Sequence, residues 1–409
     1  MRMKKVDVDY LVIGAGIMGL SIAKKIIELR PHAKVMIIEK EREIGVHASG
    51  RNSGVLHAGF YYYPDSLKAK FTRRGNEELV KHCERHGLKI NKCGKVIVAK
   101  SEEDLEILHE LKRRGDANGV VLEVVDEKEL REIEPNAKTY KEALWSPNTA
   151  VVDPKEVISC IANELKSKGV MIELGKPYVK TIGKNAILAK DVIIEYGKLI
   201  NTAGLCADKI AKDFGFSRDY ILIPFKGLYL SYRGEDKFIR TNIYPVPDIK
   251  KPFLGVHFTI RVDGKIKLGP TAMPCFWREN YSGLYGFKIK EFVETTFWNL
   301  RLLLKNSLVR ATALEEFKKY IRSFLISEGL KLIREMRNSN LWEWAPSGIR
   351  AQLVNVKTFE LVQDFIVEGD EESVHILNAV SPAFTASLPF ARYVVENYIL
   401  NRRFSDGKV

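Results

Sequence analysis

Residues 9–23 read DYLVIGAGIMGLSIA, and the spacing of the glycines in this stretch decides the fold. An apolar run of strand length leads into Gly14-x-Gly16-x-x-Gly19, and an apolar helical pattern continues through Ile26 and Ile27. A second apolar run, KVMIIE, ends in Glu39, twenty residues beyond Gly19, with Lys40 next to it. A dinucleotide requires this arrangement. Gly14 permits the tight turn, Gly16 lets backbone approach a pyrophosphate, and Gly19 lets helix and strand pack closely. Ile17 and Met18 then open a helix whose free N–H groups and dipole favour phosphate. Glu39 is placed to accept hydrogen bonds from an adenosine ribose.

The next segment narrows the choice of dinucleotide. Residues 47–70, HASGRNSGVLHAGFYYYPDSLKAK, are too polar for a core and too aromatic for a linker. A nicotinamide cofactor needs no special segment after its acidic strand, whereas the ribityl chain and flavin ring of FAD extend past the pyrophosphate. Ser49, Arg51, Asn52 and Ser53 offer donors on a glycine-rich backbone suited to those oxygens. A second glycine fingerprint, which would serve a nicotinamide beside the flavin, does not appear. FAD is the cofactor expected. No HExxH, EF-hand loop or clustered Cys/His set occurs, so no metal is expected.

A length of 409 residues implies about two domains. No unbroken apolar run reaches about eighteen residues, so a spanning helix is not expected. Five cysteines, odd in number and without CxxC, fit reduced thiols and a cytoplasmic location. The net charge of +13 is spread along the chain and not clustered with aromatics, which argues against a nucleic-acid groove.

Three further stretches carry a family resemblance. YGKLINTAG (196–204) resembles the second cofactor-contacting strand of the D-amino-acid oxidase superfamily of FAD proteins. WAPSGIRAQ (344–352) resembles the late Gly-x-Arg turn of that superfamily, and LNAVSPAFTASLPFARYVV (377–395) its closing strand-to-helix turn. Within the superfamily, SGRNSGVLHAGFYYYPDSLKAK, CGKVIVA, NIYPVPDIKKPFLGVHFT and SGIRAQ are similar to the L-2-hydroxyglutarate oxidase/dehydrogenase family. The resemblance runs the length of the chain. It departs at Lys226, where the family has arginine, and at Leu228, where it has glutamate.

The resemblance implies an α/β fold. A Rossmann-like FAD domain is assembled from 1–90, 148–220 and 343–409, with a mixed-sheet substrate domain in 91–147 and 221–342. Beyond the glycine turn it assigns Val179, Ala203, Gly204, Gly348, Pro382, Ala383, Phe384 and Thr385 to the cofactor. Its implied activity is oxidation of a 2-hydroxy acid, most closely L-2-hydroxyglutarate, by hydride transfer from C2 to flavin N5, with oxygen or a quinone receiving the electrons. That chemistry needs a carboxylate clamp and a base. Arg350 suits the clamp, since a guanidinium grips a carboxylate with two parallel bonds. A histidine, with its near-neutral pKa, suits the base, and His57 in GVLHAGF and His257 in LGVHFT are the two candidates. Tyr61 is a candidate for the flavin face, and Lys226 and Tyr244 for a distal carboxylate. A glycerol-3-phosphate or an amine oxidoreductase of the same superfamily stays open, as does a non-catalytic basic flavoprotein binding RNA or membrane.

Residues 286–337 read as a helical insertion with eleven Lys/Arg against six Glu. Its amphipathic helices are expected to cap the substrate domain with the apolar face in the core. The other reading lays a basic helix, over 286–310, on a membrane surface.

Overall fold

A computed structural model describes residues 4–248, 254–336 and 338–401. Residues 249–253, inside the quoted NIYPVPDIKKPFLGVHFT passage, and Arg337, at the end of the insertion, lie outside them. The chain divides into two compact units, one of 1–51, 154–222 and 351–409, the other of 52–153 and 223–350. The stretches 52–90, 148–153 and 343–350 therefore cluster with the second unit. Two of the boundaries fall inside the strands Tyr220–Tyr232 and Trp342–Asn355.

The first unit is built on an eight-stranded sheet. Its parallel part runs in the order Met171–Glu173, Val35–Ile38, Lys4–Ile13, Val192–Asn201, Ser373–Leu377. Val35, Met36, Ile37 and Ile38 are all buried, as expected of strands covered on both faces. Ile13 is in register with both Ile38 and Asn201, so the three strands end level. Gly14, Glu39 and Thr202 leave the sheet from that common edge, the carboxyl edge at which such sheets bind ligands. The expected helix follows the glycines, Ile17–Leu29, and Pro154–Ser167 buries Val157, Ile158, Ile161 and Leu165 as their spacing requires.

The second unit carries a nine-stranded, mainly antiparallel sheet and a small one made of Val55–Leu56, Ala150–Val152 and Ile90–Asn91. Side chains alternate across the large sheet. Val96 and Val98 join Leu230, Phe258 and Trp342 in one core. Ile97 joins Phe60, Leu144 and Tyr244 in another. The hairpin between His257–Ile260 and Ile266–Gly269 turns at Asp263-Gly264, where Gly264 takes φ +81°.

Two expectations are corrected here. SGIRAQ is not a turn: Gly348 and Arg350 lie inside the fourteen-residue strand Trp342–Asn355, two apart and so on the same side. The insertion forms helices at Ile289–Lys305, Ser307–Lys318 and Arg322–Leu330, but the first does not place its apolar face in the core. It buries Thr295, Asn299 and Leu302 and leaves Ile289, Val293, Phe297, Leu300 and Leu304 between 52% and 74% exposed. The reason is a polar anchor, the Asn299 side-chain amide donating to Cys275 O at 2.7 Å, which turns the opposite face outward.

Candidate active site

The cofactor cradle lies in the first unit and is shaped by missing side chains. Gly14 has φ +105°, and a Cβ there would stand 2.7 Å from Thr202 O. One at Gly19 would stand 2.0 Å from Gly14 O, and one at Gly16 2.9 Å from Ser49 Oγ. Gly14 N–H donates to Ile38 O, and Thr202 Oγ1 donates to Ile13 O, stitching the three strand ends together. Glu39 accepts from Ala15 N–H at 2.9 Å through one oxygen and from Glu41 N–H at 3.0 Å through the other. A carboxylate offers about four acceptor positions, so both oxygens keep capacity for a ribose. Ser49 Oγ accepts from Ile17 N–H at 3.0 Å and thereby sits at the mouth of the helix.

Several other expected cofactor residues surround this edge. Lys40 Nζ donates to Glu41 at 2.5 Å, and Arg51 Nε donates to Val46 O at 2.7 Å, which holds the glycine-rich segment in shape. Ala203 N–H donates to the Asn201 side chain, and Gly204 follows with φ +51°. Pro382 precedes the helix Ala383–Val394, which packs along Ile17–Leu29. In that helix Ala383 and Thr385 are buried and Phe384 is partly exposed. Val179 is 50% exposed, three residues beyond Lys176, whose N–H donates to Glu39 O. Asn52, Ser53 and Gly348 belong to the second unit, where Asn52 Oδ1 accepts from Gly54 N–H. A turn without side chains, a helix N-terminus and a spaced acid fit a flavin dinucleotide.

The chemistry-bearing residues gather in the second unit. Tyr244 and His257 are cross-strand neighbours, since Ile243 pairs with Phe258 in an antiparallel register. Their rings stack 3.7 Å apart at 15°. His257 Nδ1 lies 2.8 Å from Gly255 O, so Nδ1 carries the proton and Nε2 the lone pair. Burial, against the Gly255 hydrogen bond, pulls the imidazole down to about 3, helped by the charges of Lys95 and Arg350. His57 follows the strand Val55–Leu56 and is likewise held well below its ordinary value by burial, then by Lys95 and His257. Asn76 fixes this segment by donating to Leu56 O and Asn148 O, and Asn118 by donating to Gly59 O and Tyr62 O. The polar and aromatic run 57–63 is therefore a wall pinned by its carbonyls from neighbouring helices.

Tyr61 turns its hydroxyl inward, with no hydrogen-bond partner among the described residues, and burial raises its pKa well above the usual phenol value. Tyr63, two residues on, is 65% exposed and carries Arg114 over its ring, because residues 60–62 form a turn in which the alternation of an extended strand does not hold. Arg350 donates to Thr271 O at 3.3 Å, and its charge acts on both His257 and Tyr229. Thr271 in turn donates to Lys226 O. Lys226 is 8% exposed, and burial lowers its pKa, opposed by the nearby Cys275 thiol. The structure thus brings His57, His257, Tyr244, Tyr61 and Arg350 into one cluster, with Lys226 joined to it through backbone.

Sequence reasoning missed one member. Lys95 is 0% exposed and its ammonium lies over Tyr244, Tyr61 and Phe60, at 4.5, 5.1 and 5.2 Å from the ring centroids. The signal was present in CGKVIVA: a lysine at an inward position of a strand that is otherwise apolar.

Each of these features is one that a flavin-dependent oxidoreductase requires. Residues 9–397 match the DAO family, described as FAD dependent oxidoreductase, and the chain belongs to that family. Within it, the chain is 34% identical to an L-2-hydroxyglutarate dehydrogenase of Escherichia coli K12, over 95% of this chain and 92% of that one. It is 35% identical to the L-2-hydroxyglutarate dehydrogenase of Indibacter alkaliphilus, over 95% and 98%. The fold is also that of FAD-bound L-alpha-glycerophosphate oxidase from Mycoplasma pneumoniae, with a TM-score of 0.75 and 21% identity over 99% of this chain and 97% of that one.

Proposed function

We propose that the chain oxidises L-2-hydroxyglutarate to 2-oxoglutarate. The observation that supports this best is the His257 imidazole, oriented by Gly255 O and stacked on Tyr244 in the unit that also carries Arg350, in a chain similar to L-2-hydroxyglutarate dehydrogenases. When bound, FAD supplies the two-electron acceptor for the hydride from C2. Arg350 holds the carboxylate beside C2 and so orients the hydroxyl. His257 takes the hydroxyl proton at Nε2, the nitrogen left with a lone pair by the Gly255 contact, as the C2–O bond becomes a carbonyl. An arriving dianion offsets the Arg350 and Lys95 charges and raises the proton affinity of His257 when a base is needed. His57, Tyr61 and the stacked Tyr244 keep water from the imidazole, and Lys226 supplies positive charge for the distal carboxylate.

Anaerobic mixing of the yellow protein with L-2-hydroxyglutarate, its D enantiomer, glycerol-3-phosphate and sarcosine tests this reading. The flavin band is expected to bleach with the L-acid alone. Bleaching by another of the four, and not by the L-acid, would replace the substrate while leaving the family intact.

The outward face of Ile289–Lys305 supports a peripheral attachment to an anionic bilayer. Its apolar row of Ile289, Val293, Phe297, Leu300 and Leu304 is flanked by Lys290, Arg301 and Lys305, the composition of an interfacial helix. No helix among the described residues is long and apolar enough to cross a membrane. A quinone dissolved in that bilayer then receives the electrons. The protein is expected to float with vesicles containing phosphatidylglycerol at least about tenfold better than with phosphatidylcholine alone, each cation contributing about 1 kcal/mol. F297S/L300S/L304S is expected to abolish flotation while bleaching as before. Equal flotation of this variant, or its conversion of a dimer to a monomer, would assign the face to another partner.

A further inference from the structure

Lys95 has no packing reason to be a lysine. It stands on the strand Lys95–Val98, paired with Asn242, and shares a sheet face with Ile97 and Tyr244. Its Nζ has no hydrogen-bond partner among the described residues. Burying an ammonium without a carboxylate or carbonyl is costly, and aromatic faces return only part of that cost. A methionine of the same length would fill the space without it. Groups buried at such expense are concentrated at functional sites.

The position of the Lys95 ammonium shows what it acts on. One face of Tyr244 is covered by the His257 ring, which leaves the other for the Lys95 ammonium. The three groups form a column of cation, phenol ring and imidazole. The same ammonium acts on His57, the other imidazole of the cluster.

We propose that Lys95 is a positioning residue for this reaction, a buried cation that keeps His57 and His257 uncharged and able to accept a proton. This rests on the reading of a histidine as base. Among the described residues, the charges of Lys95 and Arg350 act on His257, and those of Lys95 and His257 on His57. Lys95 itself faces Cys93 and the rings of Tyr61 and Tyr244, and beyond these stand Tyr62 and Tyr229.

The sign of the pH dependence follows. Burial, opposed by Cys93, pulls the Lys95 amine down to about 7. Below that pH the lysine is charged and resists protonation of the imidazoles. Above it the lysine is neutral and its influence disappears. The contribution of Lys95 is therefore confined to acidic pH, where an imidazole base would otherwise be lost.

The test is the pH profile of flavin reduction under kcat/KM conditions, in the FAD-loaded enzyme and in its Lys95→Met and Lys95→Arg variants. In Lys95→Met the acid limb is expected to move up by about one pH unit, the smaller end of the range for a removed neighbouring charge, with rates near pH 9 unchanged. That lowers the rate about tenfold on the limb. Lys95→Arg is expected to keep the limb at or below its original position. FAD content and Tm are expected not to fall in Lys95→Met, since an unpaired buried cation has been removed. An unmoved limb in a Lys95→Met variant that holds its flavin overturns the proposal. Should that variant fail to fold, NMR titration of 15N-histidine in Lys95→Gln beside the unaltered enzyme decides. In Lys95→Gln, imidazole titrations raised by about one pH unit relative to the unaltered enzyme support the proposal, and unmoved titrations overturn it. A wild type bleached by the L-acid but with an unmoved limb in Lys95→Met separates failure of this inference from failure of the substrate assignment.

Discussion

Gly19→Ala is expected to yield a colourless protein, stripped of FAD and destabilised by more than about 4 kcal/mol, the range reached when substitution forces backbone apart. The added methyl carbon would lie 2.0 Å from Gly14 O, 2.7 Å from Thr202 Oγ1 and 3.2 Å from a Val12 methyl. Neither the carbonyl nor the level strand ends behind it can withdraw without breaking the contact of Gly14 N–H with Ile38 O. Gly16→Ala provides the contrast. Its new carbon meets Ser49 Oγ at 2.9 Å, the end of a side chain that can rotate away. The Gly16 variant is expected to fold with a near-normal Tm and to bind FAD more weakly, because the methyl occupies the approach to the pyrophosphate. Flavin absorbance per protein, with thermal melting beside it, distinguishes the two. A yellow Gly19→Ala protein of normal Tm would mean that strand, turn and helix are less tightly joined than the distances require.

Arg350→Met is expected to retain FAD and to lose about 2–5 kcal/mol of transition-state binding, the loss found when one partner of a buried charge pair is truncated. That corresponds to a fall in kcat/KM of between about 30-fold and several thousand-fold. The strand position suits this outcome. Arg350 sits in the interior of Trp342–Asn355, so its backbone is held by the sheet and its removal leaves the fold in place. Arg350→Lys is expected to recover only part of the loss, since a lysine offers a point charge in place of a two-pronged fork. A kcat/KM within about twofold of the original in Arg350→Met would assign the clamp elsewhere, with Lys226 the next candidate.

The cofactor half was legible because each of its signals is local. Gly14, Gly16, Gly19 and Glu39 lie in one strand–helix–strand passage, and their spacing alone requires the turn. Arg350 and His257 were reachable through resemblance and residue chemistry. Lys95 was passed over because its meaning depends on pairing with Asn242, about 150 positions away, which brings it beside Tyr244. The helical insertion misled for a related reason. Amphipathic spacing shows that one face is apolar, but not which face the core receives. Here one side chain, Asn299 reaching Cys275 O, decides it.

The parallel sheet of the first unit draws neighbouring strands from Lys4–Ile13, Val192–Asn201 and Ser373–Leu377. A ribosome therefore delivers the first of them more than three hundred residues before the last. The glycine turn emerges early, but the platform that holds it level cannot be completed until Ser373–Leu377 has been made. Pairings this distant along the chain are slow to form. The nascent protein must wait, with apolar strand edges uncovered, for that distant strand, and the flavin has no finished platform to settle on until the strand arrives.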